Sequence, residues 1–454
     1  MIQRKLPVIF VARSAAALIL AAVVPMLIAS PSAAMSPAAS ASTDPGPKVT
    51  REIKGSLPTH DGQRLHLVTE LGNVRVHTGS SGKVEYHITL GTDASDPDSQ
   101  KLLKDFELAA HPTPDGVSLR GEISGNGCSG HLWVTFDVSV PDAYNIDVTS
   151  HGGNIETENV DGRALLTTSG GNISAGSVNG FAHFETGGGH ITVKDVSGDF
   201  FASTGGGHIT AGSISGNASL HTGGGHIRVV SIGGIAKLDT GEGGNISVEK
   251  SGGGLTADTR GGQIEVGEAG GQVHARTGGG GIRVVRSSGP TNLESVRGSI
   301  YLTQVNSAVR ASTNAGGITA WLGPDGKLPA GCDLHSADGD IVVYIPKELQ
   351  LTIDAAIQQG EDHRLVVDPA FPLKVSYDDV SNGSHIVRAA GTLNGGGEVL
   401  RLRTVAGNIR IVMSDANRQL QVYKLQMDQL QKRLVEIQKE FEKQTSNDDS
   451  NESN

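Results

Sequence analysis

The sequence predicts an all-β fold: a single-chain β-solenoid of about ten 18-residue turns, with β-rich caps and a C-terminal α-helical coiled-coil segment. Three observations lead there. An aliphatic marker recurs at a fixed step along the middle of the chain. Gly supplies 63 of 454 residues while Phe, Trp and Tyr together supply 4%. Gly then vanishes beyond residue 413, where Leu, Gln, Lys and Glu take over.

The Gly share is about double the ~7% of ordinary proteins. Few aromatics argue against one large globular core, which uses them as filler. Collagen is excluded because no Gly recurs at every third residue. An apolar share of 37%, strictly placed, argues against a disordered Gly-rich chain. Formal net charge is -11. The first 34 residues carry Arg4, Lys5 and Arg13 and no acid, so the rest is more acidic still. An acidic body repels phosphate backbones, which argues against a nucleic-acid partner.

Residues 1–34 read as a secretory signal. Basic residues precede an apolar run from Ser14 to Ala29, and Ser32-Ala33-Ala34 offers small residues for cleavage after Ala34. An uncleaved anchor is the alternative, although the run is short of the ~20 residues a spanning helix needs and Pro25 interrupts it. The expected location is therefore exported: periplasm, cell surface or outside the cell. Residues 35–48, rich in Ala, Ser and Pro, read as a linker.

Residues 49–148 read as an N-terminal β-rich cap. Leu132, Val134, Phe136, Val138 and Val140 alternate as in a strand, and Asp96-Pro97 starts a short helix with Leu102, Leu103 and Phe106 on one face. Residues 149–325 hold the repeat. The marker falls at Ile155, Ile173, Ile191, Ile209, Ile227, Ile246, Ile264, Ile282, Ile300 and Ile318. Steps are 18 residues except one of 19, whose extra residue lies in Gly241-Glu242-Gly243-Gly244. A Gly stands two residues before every marker, where it permits positive φ and close backbone approach at a corner. Within a turn, apolar residues such as Ile209, Ala211, Ile214, Ala218 and Leu220 form two period-2 strands. One such turn cannot bury its own inward face, so turns must stack ~4.8 Å apart, giving a solenoid about 43 Å long.

Residues 326–412 read as a C-terminal β cap. Ile341, Val343 and Ile345 alternate, then Leu349, Leu351, Ile353, Ala355 and Ile357, and Gly407-Asn408-Ile409 repeats the corner once more. Residues 413–443 read as a helix. Leu420, Tyr423, Met427, Leu430, Leu434, Ile437 and Phe441 are spaced 3, 4, 3, 4, 3, 4, a heptad seam that predicts a homo-oligomer. A helix lying along the solenoid flank is the alternative, since Val422, Leu425 and Val435 widen the stripe. Residues 444–454 are polar and read as a disordered tail.

Cys128 and Cys332 lie before the first turn and after the last, which puts them out of reach of each other within one chain. His190, His208 and His226 occupy one slot in three successive turns and form a candidate metal ladder. In other turns the slot holds Asn154, Asn172, Asn245, Gln263 and Ser299, so the competing reading is a column of polar side chains that satisfy one another. Calcium-binding nonapeptide turns would need Asp at the corners, and these have none. A polysaccharide-acting β-helix enzyme would need clustered acids and bases, and the corners offer chiefly Glu242 and Asp239, without a partner. No catalytic residue and no cofactor are expected.

The signatures Gly153-Asn154-Ile155, Gly171-Asn172-Ile173, Gly244-Asn245-Ile246 and Gly407-Asn408-Ile409 resemble those of the bacterial adhesin-like family of exported β-strand-repeat proteins. Val140-Pro141 before the first turns and Gly395-Gly396-Gly397 before the last strand are similar to that family's pattern, over about residues 60–412. The resemblance implies an exported solenoid and transfers no catalytic residue. The chain is also similar to toastrack domains associated with envelope-stress sensing. Two functions are thus expected: a non-catalytic adhesin-like surface for an unknown surface, polymer or envelope protein, or a regulatory partner in envelope-stress sensing.

Overall fold

The computed structural model describes residues 48–414 except 80–81, 125–129, 324–329, 360–361 and 380–384, together with residues 424, 425, 429 and 432. All of them fall in one compact unit, Gly46–Asn454. The expected signal segment, most of the linker and the polar tail lie outside the described residues.

The period-2 segments fold as the alternation demands. In the strand Ile209–Ile214 the residues Ile209, Ala211 and Ile214 are buried, and in Ala218–Thr222 so are Ala218, Leu220 and Thr222. Each strand pairs in parallel with its copy one turn on. Ile191 aligns with Ile209, Ile209 with Ile227, and Ile227 with Ile246. The ten markers therefore form one column, and every Ile in it is at most 1% exposed. Full burial of such a side chain contributes about 1.5–3 kcal/mol, so the column is a principal source of cohesion. The 19-residue step leaves this register intact, because the extra residue is absorbed at the corner before Ile246. Where the core takes Phe, an Ala stands one rung away: Phe184 aligns with Ala202, and Phe200 with Ala182 and Ala218. The narrow interior thus keeps its volume nearly constant, and the two rings meet edge to face at 5.3 Å.

Two long sheets result, with strands alternating between them along the chain. The pairing adds rungs that the 18-residue period did not reveal. Sheet A runs in parallel from Trp133–Val140 through Asn73–Thr78 and the ten marker strands to Ile341–Pro346, Ile409–Ser414 and Leu365–Val367. Sheet B runs alongside from Gly116–Ile123 through Arg64–Thr69 and Asn145–Ser150 to Cys332–Asp338, Val399–Ala406 and Leu351–Ile357. Among the described residues fifteen rungs stack, not ten, and at ~4.8 Å each the stack is roughly 65–70 Å long.

Both ends are threaded out of sequence. The first rung, Arg64–Thr69 with Asn73–Thr78, sits between the second and third. The last, Val399–Ala406 with Ile409–Ser414, sits between the two rungs before it in sequence. Each terminal rung is therefore paired on both edges. The outermost edges are covered by antiparallel strands: Lys83–Asp93 and Lys48–Pro58 on sheet A, Phe106–Thr113 on sheet B, and His385–Leu393 with Lys374–Asp379 at the other end of sheet B. Among the described residues the free edge of sheet A at that end is three residues long, Leu365–Val367, which limits it as a template for aggregation. The expected helix spans Pro97–Asp105, capped by the Asp96 side chain, and it buries Leu102 and Leu103.

Met413 and Ser414, read from sequence as the start of the C-terminal helix, end the last strand, where Met413 aligns with Ile345. The seam residues Leu420, Tyr423, Met427, Leu430, Leu434, Ile437 and Phe441 lie outside the described residues. Lys424, Leu425, Gln429 and Lys432 are helical and exposed.

Cys332 is a buried free thiol, pushed up to about 11 by burial. Cys128 lies outside the described residues. Ser124 closely follows Gly116–Ile123, which is twelve strand spacings, roughly 58 Å, from the Cys332 strand. Four residues reach at most about 14 Å. Non-reducing peptide mapping of monomer is therefore expected to return Cys332 unpaired, and a Cys128–Cys332 crosslinked peptide would refute the layout.

Candidate functional site

Two polar columns run along the corner that precedes each marker. The outer one contains the three histidines. His190 and His208 stack with ring centroids 4.9 Å apart, and His208 and His226 at 4.8 Å, one strand spacing. The column begins at Asn73, on the inserted rung. Asn73 Oδ1 accepts from the Asn154 N–H, Asn154 Oδ1 from Asn172, and Asn172 Oδ1 from His190. The imidazoles then do the same work: His190 Nδ1 accepts from the His208 N–H at 2.9 Å, His208 Nδ1 from His226 at 2.9 Å, and His226 Nδ1 from Asn245 at 2.8 Å. Asn245 Oδ1 passes the pattern to Gln263. Asn and His share the slot because each carries an acceptor bonded to Cγ, Oδ1 or Nδ1, that reaches the next rung's backbone.

This geometry fixes the tautomer. A ring whose Nδ1 accepts a backbone N–H carries its proton on Nε2 and is neutral. The Nδ1 lone pairs are committed to the backbone, which leaves only Nε2 for any ligand. Among the described residues, no group of three His, Cys, Asp or Glu is arranged to hold a metal ion.

The same geometry makes the ladder sensitive to acid. His208 is held below the usual imidazole range, first by burial and then by His190, His226 and Arg228. His226 is lowered by burial and by Arg228. A folded-state value below the unfolded ~6.5 means that the stabilisation is complete above pH 6.5 and is lost as pH falls through the folded values. The melting temperature should therefore drop as pH falls below about 6.5. A His208→Asn, His226→Asn variant, which keeps the acceptors, should flatten that drop. An equal drop in the variant would refute the assignment.

The inner column was not foreseen. Thr168, Thr186, Thr204, Thr222, Thr259, Thr277, Ser295 and Thr313 are buried, and each hydroxyl donates to the Gly carbonyl of the preceding rung's corner. Most also accept the N–H of their own corner Gly, as Thr222 does from Gly225 at 3.0 Å. At the 19-residue step Thr240 donates instead to Gly244 in its own corner. The signal was present in the recurrent Thr-Gly-Gly-Gly fragment. The reason for the Gly also differs from the expectation. Of the ten corner glycines only Gly153 has positive φ, whereas a Cβ at any of them would collide with the preceding rung's backbone.

On the outer faces several charged side chains pair laterally with a neighbouring rung. Arg75 meets Glu156, Arg276 meets Glu294 and Arg286 meets Glu268, each pair on adjacent strands. Sheet B also carries a row aligned across five strands: His66, Asp147, Leu165, His183 and Phe201. Beside it Phe181 meets Phe201 with ring centroids 5.6 Å apart, and the Arg163 guanidinium lies 5.5 Å from the centre of the Phe181 ring. A groove of about 450 Å³, lined by Arg64, Asp115, Asn145, Asp147, Arg163 and Leu165, opens next to this cluster.

No protein-family model matches the chain. No curated protein matches it either. Among solved structures, one described as a "putative cell adhesion protein" from Clostridium sporogenes is 6% identical over 80% of this chain and 100% of that one, with a TM-score of 0.14. A "putative adhesin" from Bacteroides fragilis is 11% identical over 80% of this chain and 97% of that one, also with a TM-score of 0.14. Scores this low give neither likeness any bearing on fold or function, and the family likeness of the corner signature stays a resemblance.

Proposed function

We propose that this chain is an exported, non-catalytic, adhesin-like β-solenoid that presents a binding or scaffolding surface in the cell envelope. The observation that carries this reading is the regularity of the outer faces. Side chains stand in straight rows across the rungs, and opposite charges meet laterally between neighbouring rungs, as Arg276 meets Glu294 and Arg286 meets Glu268. Catalytic carboxylates would instead converge on a cleft with pKa values driven apart. The Asn and His ladders are likewise committed to backbone, as parts of a rigid support. Export rests on the first 34 residues, with their basic start and apolar run.

Cell fractionation tests the reading. Exposure at the cell surface or release from the cell supports adhesion. Strict periplasmic retention favours a regulatory partner in envelope-stress sensing, and a cytoplasmic location would end the proposal. The heptad seam from Leu420 to Phe441 adds assembly to this reading. Light scattering is expected to give an oligomer for the mature chain and a monomer for a truncation after Ser414. Three heptads are marginal alone, so the oligomer should dissociate on dilution. Monomers for both would remove assembly.

A further inference from the structure

We propose that the outer face of sheet B around Phe181 and Phe201, with the adjoining groove, binds an uncharged saccharide chain. This rests on the reading of the chain as a binding surface and names the ligand class of one site on it. The first ground is economy of aromatics. The chain has nine Phe, and two of them stand side by side on the outside of one sheet, with Phe201 39% exposed. His183 adds a third ring, 6.2 Å from Phe201 and tilted 35° to it. His183 and Phe201 sit on strands paired on both edges, and Phe181 immediately precedes the His183 strand, so the three rings form a rigid apolar platform.

The second ground is what surrounds the platform. The row from His66 to Phe201 spans four strand spacings, roughly 19 Å, long enough for several pyranose rings laid across the strands. A pyranose offers a flat C–H face and a rim of hydroxyls that both donate and accept. The rings supply a partner for the face. The groove supplies polar groups for the rim, and its volume lies in the range of small-molecule sites. Arg163 has no acidic partner among the described residues, so its N–H edge is available beside the platform. Asp147 uses one carboxylate oxygen on His66, at 3.0 Å.

The third ground is charge. Arg64 pairs with Asp115, Asp147 with His66, and Glu185 with His183. Together with Arg163 these groups place charges of both signs around the platform, so no field of one sign selects a polyanion or polycation. An uncharged chain is the ligand this balance admits best.

The register supplies variants that should fold. Ser219 takes the place of Phe201 one rung on, and Asn217 stands in the row of Phe181 two rungs on. The double variant Phe181→Asn, Phe201→Ser therefore places residues that the same rows already hold. Ile235→Asn, at a 65% exposed residue farther along that row, is the control. Native gel retardation of the full chain is measured in hydroxyethyl cellulose, laminarin, glycol chitin and the anionic polygalacturonate. We expect retardation by at least one neutral polymer, weakened about tenfold or more in the double variant and unchanged in Ile235→Asn, with equal melting temperatures. Equal retardation of wild type and double variant would overturn the site, and preference for polygalacturonate would overturn the ligand class. Sedimentation with isolated cell envelopes separates the two levels. Binding to envelopes without binding to any neutral polymer ends this proposal and leaves the binding-surface reading standing. Binding to neither ends both.

Discussion

Replacing Thr222 by Val is expected to destabilise the stack by about 2–4 kcal/mol. Val matches Thr in shape, so packing is nearly unchanged. What is lost is the hydroxyl, which donates to the Gly207 carbonyl at 2.8 Å and accepts the Gly225 N–H at 3.0 Å. Thr222 is 0% exposed, so no water replaces either bond. Each buried polar group left without a partner costs about 1–3 kcal/mol. Thr222→Ser keeps the hydroxyl and should stay within about 1 kcal/mol of wild type, since Ser295 and Ser336 fill the same position in other rungs. Urea unfolding of the three proteins reads the difference. A Val variant within about 0.5 kcal/mol of wild type would show that the inner column is incidental.

The repeat was legible because its cause is local. A column of Ile needs one Ile per turn, and a period written in the chain is visible without a structure. Both ends were opaque for the opposite reason. Whether Arg64–Thr69 pairs with Gly116–Ile123, Asn145–Ser150 or both is decided by contacts far apart in sequence. The corner signal was nevertheless there: Gly72-Asn73-Val74 is the same triplet with Val for Ile, and Asn73 starts the outer ladder. The histidine column was legible as a column but not in its chemistry. Only the bond from each Nδ1 to the next backbone N–H shows that the rings are acceptors like the Asn residues beside them. The aromatic platform was invisible as a site because Phe181 and Phe201 are twenty residues apart and become neighbours only through the register. The inner Thr column had its signal in the Thr-Gly-Gly-Gly fragment and in the period-2 phase that Thr222 shares with Ala218 and Leu220, but its partner, a carbonyl one rung back, is set by the register.

Gly207→Ala is expected to cost about 3 kcal/mol or more, while Gly206→Ala, one residue away, costs nothing or stabilises slightly. The two positions differ in what lies against them. A Cβ on Gly207 would come within 3 Å of the Gly189 oxygen and carbon and of the His190 nitrogen, all backbone. Backbone cannot rotate aside as a side chain can, and moving it would pull on the His208 N–H bond to His190 and the Thr204 bond to Gly189. Overpacking of ordinary cores costs about 1–3 kcal/mol, and this site lacks their means of relief. A Cβ on Gly206 meets nothing within 4 Å, and Gly206 has no positive φ. Ala there mainly restricts the unfolded chain, worth about 0.4–1 kcal/mol in favour of folding. Because a solenoid is held rung to rung, the damage at Gly207 should also be local. Limited proteolysis is expected to open the variant near residues 189–208 before the rest of the stack. If both Ala variants cost the same, the corner glycines serve chain flexibility and not the close approach of neighbouring rungs.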